Sequence, residues 1–258
     1  NLVLVDEGHG GMSGEQWKKF RDQLSTTGFA FEYSATFGQA ISAAQKGKKE
    51  ELTQEYAKSI LFDYSYKYFY EDGYGKDYRI LNLKDDNVDF KKKYLTANLL
   101  SYYQQLLLFR NKANIATQFR LFQPLWVFVG SSVNAVRKEE GKETSDVLDI
   151  VHFLSGFLKN KTEYTEYIRL ILSNKAGLLD AKGYSIFEGS FAYLEELEWG
   201  AEAIFDGINK DVFHNQTPGA NLYLDNLKGA PGELGLRVGD TDRYFGVINV
   251  GDEKKLHD

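Results

Sequence analysis

The opening run Leu2-Val3-Leu4-Val5 is continuously apolar and is closed by Asp6, Glu7 and a glycine-rich stretch. That pattern predicts a short buried parallel strand. Ser13 and Gln16 then form a capping-box pair, and Trp17, Phe20 and Leu24 recur at helical spacing, predicting a helix with those three on its apolar face. Phe29, Phe31 and Tyr33 alternate with other residues and lead into Ser34-Ala35-Thr36, which predicts a second strand. Strand, helix and strand in this order make a βαβ unit with parallel strands. Both strands then deliver their polar ends to one sheet edge, where open α/β sheets place their ligands.

Further along, 39–45 and 51–59 read as helices separated by the charged stretch 46–50. The Tyr-rich run with the Asp72-Gly73 step could form a hairpin; the preferred reading is a helix over 64–72, since Tyr64, Tyr68 and Phe69 sit at helical spacing and Gly73 is placed to stop it, followed by a strand over 78–83. The clearest helix spans 87–111, with Tyr94, Leu99, Tyr102, Tyr103, Leu106 and Leu107 on a broad apolar face. Pro124 and the apolar run after it, ending in Gly130, Ser131 and Ser132, repeat the opening pattern. They predict the first strand of a second domain, giving domains over 1–120 and 121–258. Helices are expected over 145–158, 162–173, 190–197 and 201–213, and strands over 221–224, 235–238 and 245–250.

Composition narrows the function classes. A hydrophobic content of 43% with 26% charged residues over 258 positions is that of a globular protein. The net charge of −6 supplies no overall basic footprint for nucleic acid, so any such binding needs a local stripe. With no cysteine, disulfides and thiolate metal sites are excluded. No segment has the apolar length of a membrane span, and no signal peptide is visible; a cytoplasmic setting is the expectation. Asn1 lies directly inside a core strand, which reads as a chain cut from a longer protein.

Asp6 and Glu7 are the leading candidates for chemistry. Phosphoryl transfer needs an acid that holds Mg²⁺ and a group that orients the attacking water. Two successive carboxylates at a strand end can divide these tasks, with Asp6 on the metal and Glu7 on the water; an acidic turn without chemistry is the plain alternative. His9 stands near the Ser34–Thr36 edge and would report nucleotide state through a hydrogen bond to that edge. A zinc site competes for His9, but four histidines, no cysteine and no HExxH spacing argue against it. Gly130, Ser131 and Ser132 could donate hydrogen bonds to a nucleic-acid phosphate, or simply turn the chain. The lysines of 46–49 and 91–93 read as solvated helix faces or as a backbone-tracking stripe.

Asp6-Glu7-Gly8-His9 followed by Ser34-Ala35-Thr36 resembles motifs II and III of the superfamily 2 DEAD/DEAH-box helicases and translocases. The stretch 64–76 is similar to the region after motif III in the motor subunit of type III restriction enzymes, and 125–132 to motif IV. The resemblance implies parts of two RecA-like parallel-sheet domains with helical insertions. It implies ATP and Mg²⁺ as cofactors, DNA as partner and a possible methyltransferase subunit. In that scheme Asp6 binds Mg²⁺, Glu7 activates water, and His9, Ser34 and Thr36 couple nucleotide state to DNA movement. The chain contains no GxxxxGK[ST] phosphate loop and no motif VI arginine finger. The resemblance implies that these lie before and after it, so that the segment alone is inactive. A non-catalytic α/β binding or scaffold module is the rival expectation.

Overall fold

The computed structural model describes residues 1–8, 15–35, 38, 41–42, 46–75, 81, 87–129 and 146–250. The chain divides into two compact units, Asn1–Ile80 and Leu81–Asp258. The division falls well before the boundary expected near 120, because the long helix of 88–111 packs into the second unit's core.

In the first unit β1 (Leu2–Val5) and β2 (Phe29–Glu32) pair in parallel, joined through α1 (Glu15–Ser25). Leu2 lies opposite Phe29, Val3 opposite Ala30, Leu4 opposite Phe31 and Val5 opposite Glu32. The expected βαβ unit is therefore present, but β1 is not buried. Successive side chains of a strand point to opposite faces, and Leu2, Leu4, Phe29 and Phe31 share one that is open, with Leu2 65% and Phe29 75% exposed. The partly covered face carries Val3, Val5, Ala30 and Glu32. The helix is also turned from its expected orientation. Trp17, Arg21 and Ser25, spaced four apart, are half-buried, while Phe20 and Leu24 are exposed.

Two further helices complete this unit. α2 (Lys46–Ala57) runs straight through the charged stretch expected to break it and buries Leu52 and Tyr56. α3 (Tyr66–Glu71) ends as expected at Gly73, whose φ of 82° is one that an L-residue rarely adopts. Its aromatic residues, however, bury nothing.

The second unit is built on α4 (Val88–Asn111), whose first turn is capped by Asn87 accepting from the Phe90 N–H at 2.9 Å. α5 (Ala113–Gln118), α6 (Asp146–Lys159), α7 (Lys161–Leu172), α8 (Ala192–Glu196) and α9 (Ala201–Asp211) follow. Leu99, Leu100, Tyr103 and Leu106 of α4 meet Phe153 and Phe157 of α6, Tyr164 and Ile168 of α7, and Ile204 and Ile208 of α9 in one core. Gly207 lets α9 approach α4: a Cβ there would stand 2.2 Å from the Tyr103 hydroxyl. Gln104 holds α8 by donating to the Ser190 carbonyl and accepting from the Tyr193 and Leu194 N–H groups.

β3 (Leu222–Asn226), β4 (Glu233–Val238) and β5 (Gly246–Asn249) form an antiparallel meander in that order. This corrects the parallel second sheet expected from the resemblance. The connections over 227–232 and 239–245 are short, whereas a parallel crossover needs a dozen residues or more. The run 125–129 is not a strand either. Trp126 is half-buried and stacks on Tyr102 at 6.1 Å, while Leu125, Val127 and Val129 are exposed. Among the described residues the protein is thus mixed α/β, with a two-stranded parallel and a three-stranded antiparallel sheet, and no helix is long and apolar enough to cross a membrane.

Candidate functional site

Asp6 and Glu7 stand at the carboxyl end of β1, and Ser34 just past the carboxyl end of β2. The parallel pairing continues beyond the strands: the Tyr33 N–H donates to the Val5 carbonyl at 2.8 Å, and the Gly8 N–H donates to the Tyr33 carbonyl at 3.0 Å. The two segments expected to cooperate are therefore tied to one sheet edge by backbone hydrogen bonds. Between them, Glu7 takes a left-handed backbone, φ 51°, a conformation uncommon outside glycine. The turn is supported by the Glu7 N–H donating to Asp6 Oδ1 at 2.9 Å. Gly8 is buried at this bend, and the Asp6 and Glu7 side chains are exposed. Ser34 is half-buried beside them. His9, Thr36, Gly130, Ser131 and Ser132 lie outside the described residues.

The donor set fits one kind of metal partner. Mg²⁺ is commonly held by one or two carboxylates together with phosphate oxygens and water, and an open pair at a sheet edge suits that arrangement. Among the described residues no group of three or more His, Cys, Asp or Glu side chains converges as a metal cage.

The edge is braced from the covered face by residues not singled out from the sequence. Arg21 Nη1 on α1 lies 2.5 Å from Glu32 Oε1 on β2, and the Tyr56 hydroxyl of α2 donates to Glu32 Oε2 at 3.2 Å. Arg21 also pairs with Asp22. Both Arg21 and Glu32 are mostly covered, with side chains 15% and 12% exposed. Burial opposes the Arg21 charge, but hydrogen bonds to Glu32 and Asp22 outweigh it and hold the guanidinium's pKa above its ordinary value. A single acid within an apolar alternation was the available signal, since a covered charge needs a partner.

Beside this unit's helix α3, the Tyr64 hydroxyl donates to Asp72 at 2.6 Å, and that hydrogen bond pushes its pKa up to about 12. In the second unit, a polar recess lined by Arg110, Lys210, Asp211, His214, Gln216 and Arg243 also escaped the sequence reading. Its residues come from three separated stretches and follow no local spacing. Compared with family models, with characterised proteins and with solved structures, the chain matches none.

Proposed function

We propose that this chain is part of an ATP-dependent DNA helicase or translocase of the superfamily 2 type, with the motor subunit of type III restriction systems as its nearest resemblance. The supporting observation is the shared edge: Asp6-Glu7 and Ser34 lie at the carboxyl ends of two paired parallel strands, with Glu7 in a left-handed turn. Non-glycine residues held in that region occur disproportionately at functional sites.

In this reading Asp6 would hold Mg²⁺ on a bound nucleotide, the metal neutralising charge that develops on the phosphates. Glu7 orients a water for in-line attack and accepts its proton. Ser34, just past the adjoining strand, senses that geometry and passes it to the DNA-binding surfaces, and His9 and Thr36 are assigned the same coupling role. The 258 residues contain no GxxxxGK[ST] sequence, and in this proposal the phosphate loop comes from a longer protein of which they form part. DNA and a methyltransferase subunit are partners of that protein in the same proposal.

The test is DNA-stimulated ATP hydrolysis by the longer protein. Loss of a positioned general base costs roughly 10²–10⁴ in rate, so Glu7→Gln should nearly abolish turnover. Ser34→Ala should spare hydrolysis while slowing movement along DNA. An unchanged rate in Glu7→Gln would remove Glu7 from the mechanism. The rival reading, a scaffold module without hydrolysis, draws support from the open apolar face of the first sheet, since a large exposed apolar patch marks an interaction surface.

A further inference from the structure

We propose that the recess formed by Arg110, Lys210, His214, Gln216 and Arg243 in the second unit is a binding site for a phosphate group. The recess holds about 290 Å³, at the small end of ligand pockets, which suits a phosphate with little attached bulk. Three cationic side chains and one carboxylate, Asp211, line it, within a chain whose overall charge is −6. The concentration of positive charge is therefore local and is not inherited from composition.

The hydrogen bonds within the recess determine what remains to be bound. Arg110 Nη1 pairs with Asp211 Oδ1 at 2.9 Å, and Arg110 Nη2 donates to the Asp211 carbonyl at 3.3 Å. The Lys210 backbone and Asp211 act on the His214 imidazole in the opposite sense to Arg243 and Arg110. The Asp211 carbonyl at the end of α9, which would repel an anion, is thus covered by a donor. Lys210 and Arg243 have no ion-pair partner among the described residues. Asp240 and Asp242, which precede Arg243 in sequence, are not among the lining residues.

The framework is fixed. His214 has a left-handed backbone, φ 53°. Asn215 then locks the turn, accepting from the Thr217 N–H and donating to the Thr217 carbonyl, both at 2.9 Å. That turn carries both His214 and Gln216 to the recess. Burial, followed by the fields of Arg243 and Arg110, lowers the His214 pKa, and the nearby Asp211 only partly offsets them. A phosphate seated in the recess would offset the fields of Arg243 and Arg110 on the imidazole. Lysine and arginine are placed at helix C-termini simply to complement the dipole, and Arg110 and Lys210 fit that description. Arg243 does not: it comes from the loop before β5.

This site is independent of the chemistry assigned to Asp6 and Glu7, and it can be tested on the 258-residue chain. Inorganic phosphate titrated calorimetrically at constant ionic strength should bind saturably, in the millimolar range or tighter. Arg243→Gln or Lys210→Gln should each weaken binding about tenfold, the loss of one charge-assisted contact, while Lys175→Gln on the exposed surface should not. Phosphate should also raise the His214 pKa, read from the imidazole resonances. Short oligonucleotides with and without a 5′-phosphate separate the sources: dependence on the 5′-phosphate assigns a terminal monoester, and equal Arg243-sensitive binding of both assigns a backbone phosphodiester. Absence of saturable binding to the folded chain, or equal weakening by all three substitutions, overturns the proposal.

Discussion

The two units treat their apolar residues in opposite ways. In the second, α4, α6, α7 and α9 enclose Tyr103, Phe157, Tyr164, Ile168, Ile204 and Ile208 almost completely. In the first, Leu2, Leu4, Phe29 and Phe31 form an open sheet face, and Phe62, Tyr64, Tyr66 and Phe69 cluster in the open around α3. The second unit draws its stability from its own interior. The first depends more on a few specific bonds, above all the brace of Arg21, Glu32 and Tyr56. A two-stranded sheet is at best marginal by itself, so the candidate site sits on the less self-sufficient half of the molecule.

This contrast predicts a graded set of mutational effects. Phe157→Ala, removing a fully buried ring that stacks on Phe205 at 4.8 Å, should destabilise the second unit by about 3–5 kcal/mol. Leu4→Ala in the first should change stability by no more than about 0.5 kcal/mol. Residue-resolved hydrogen exchange distinguishes the units, and equal costs would erase the comparison. Gly207→Ala should cost about 1–3 kcal/mol through overpacking. Much of that should return in a Tyr103→Phe background, because the hydroxyl is the nearest atom to the added methyl. Arg21→Gln should cost the first unit about 1–2 kcal/mol, between the limits for exposed and buried pairs.

Acidification should act on the second unit in two stages. Burial and the neighbouring Arg243 and Arg110 depress the His214 pKa from its ordinary 6.5. A neutral His214 therefore contributes stability that is complete above about 6.5 and is lost as the pH falls from there toward the depressed value. Asp89, bonded by Lys93 and Tyr167, and Glu163, bonded by Lys92 and Tyr167, are both lowered from 3.8 and 4.5. Their contribution is complete above those ordinary values and is lost as the pH falls through the depressed ones. Denaturant unfolding across pH should show a small early loss, removed in His214→Gln, and a second loss under stronger acid.

Local pattern carried the elements further than it carried their environment. Alternation in Phe29-Ala30-Phe31 and the apolar run of Leu2–Val5 placed the βαβ unit and its common edge. They could not tell which face would be covered, because helix α1 turns Arg21 toward Glu32 and leaves Phe20 and Leu24 outside. The three late strands were legible, and the short connections 227–232 and 239–245 account for their antiparallel pairing, which the parallel-sheet resemblance does not. The apolar run 125–129 resembled β1 in composition but has no strand partner among the described residues, and Trp126 packs it on Tyr102 and Phe153. Of the candidate site, Asp6, Glu7 and Ser34 were legible from position at strand ends. The left-handed Glu7 and the recess around His214 were not, because both depend on tertiary placement.

The most direct test of the proposed motor chemistry measures nucleotide binding and single-turnover hydrolysis side by side, with Glu7→Gln introduced into a protein that joins these residues to a phosphate loop. ATP affinity should stay near that of the unmodified protein, and the hydrolytic step should slow by roughly 10²-fold or more. Hydrolysis at the unmodified rate, with ATP bound equally well, would contradict it.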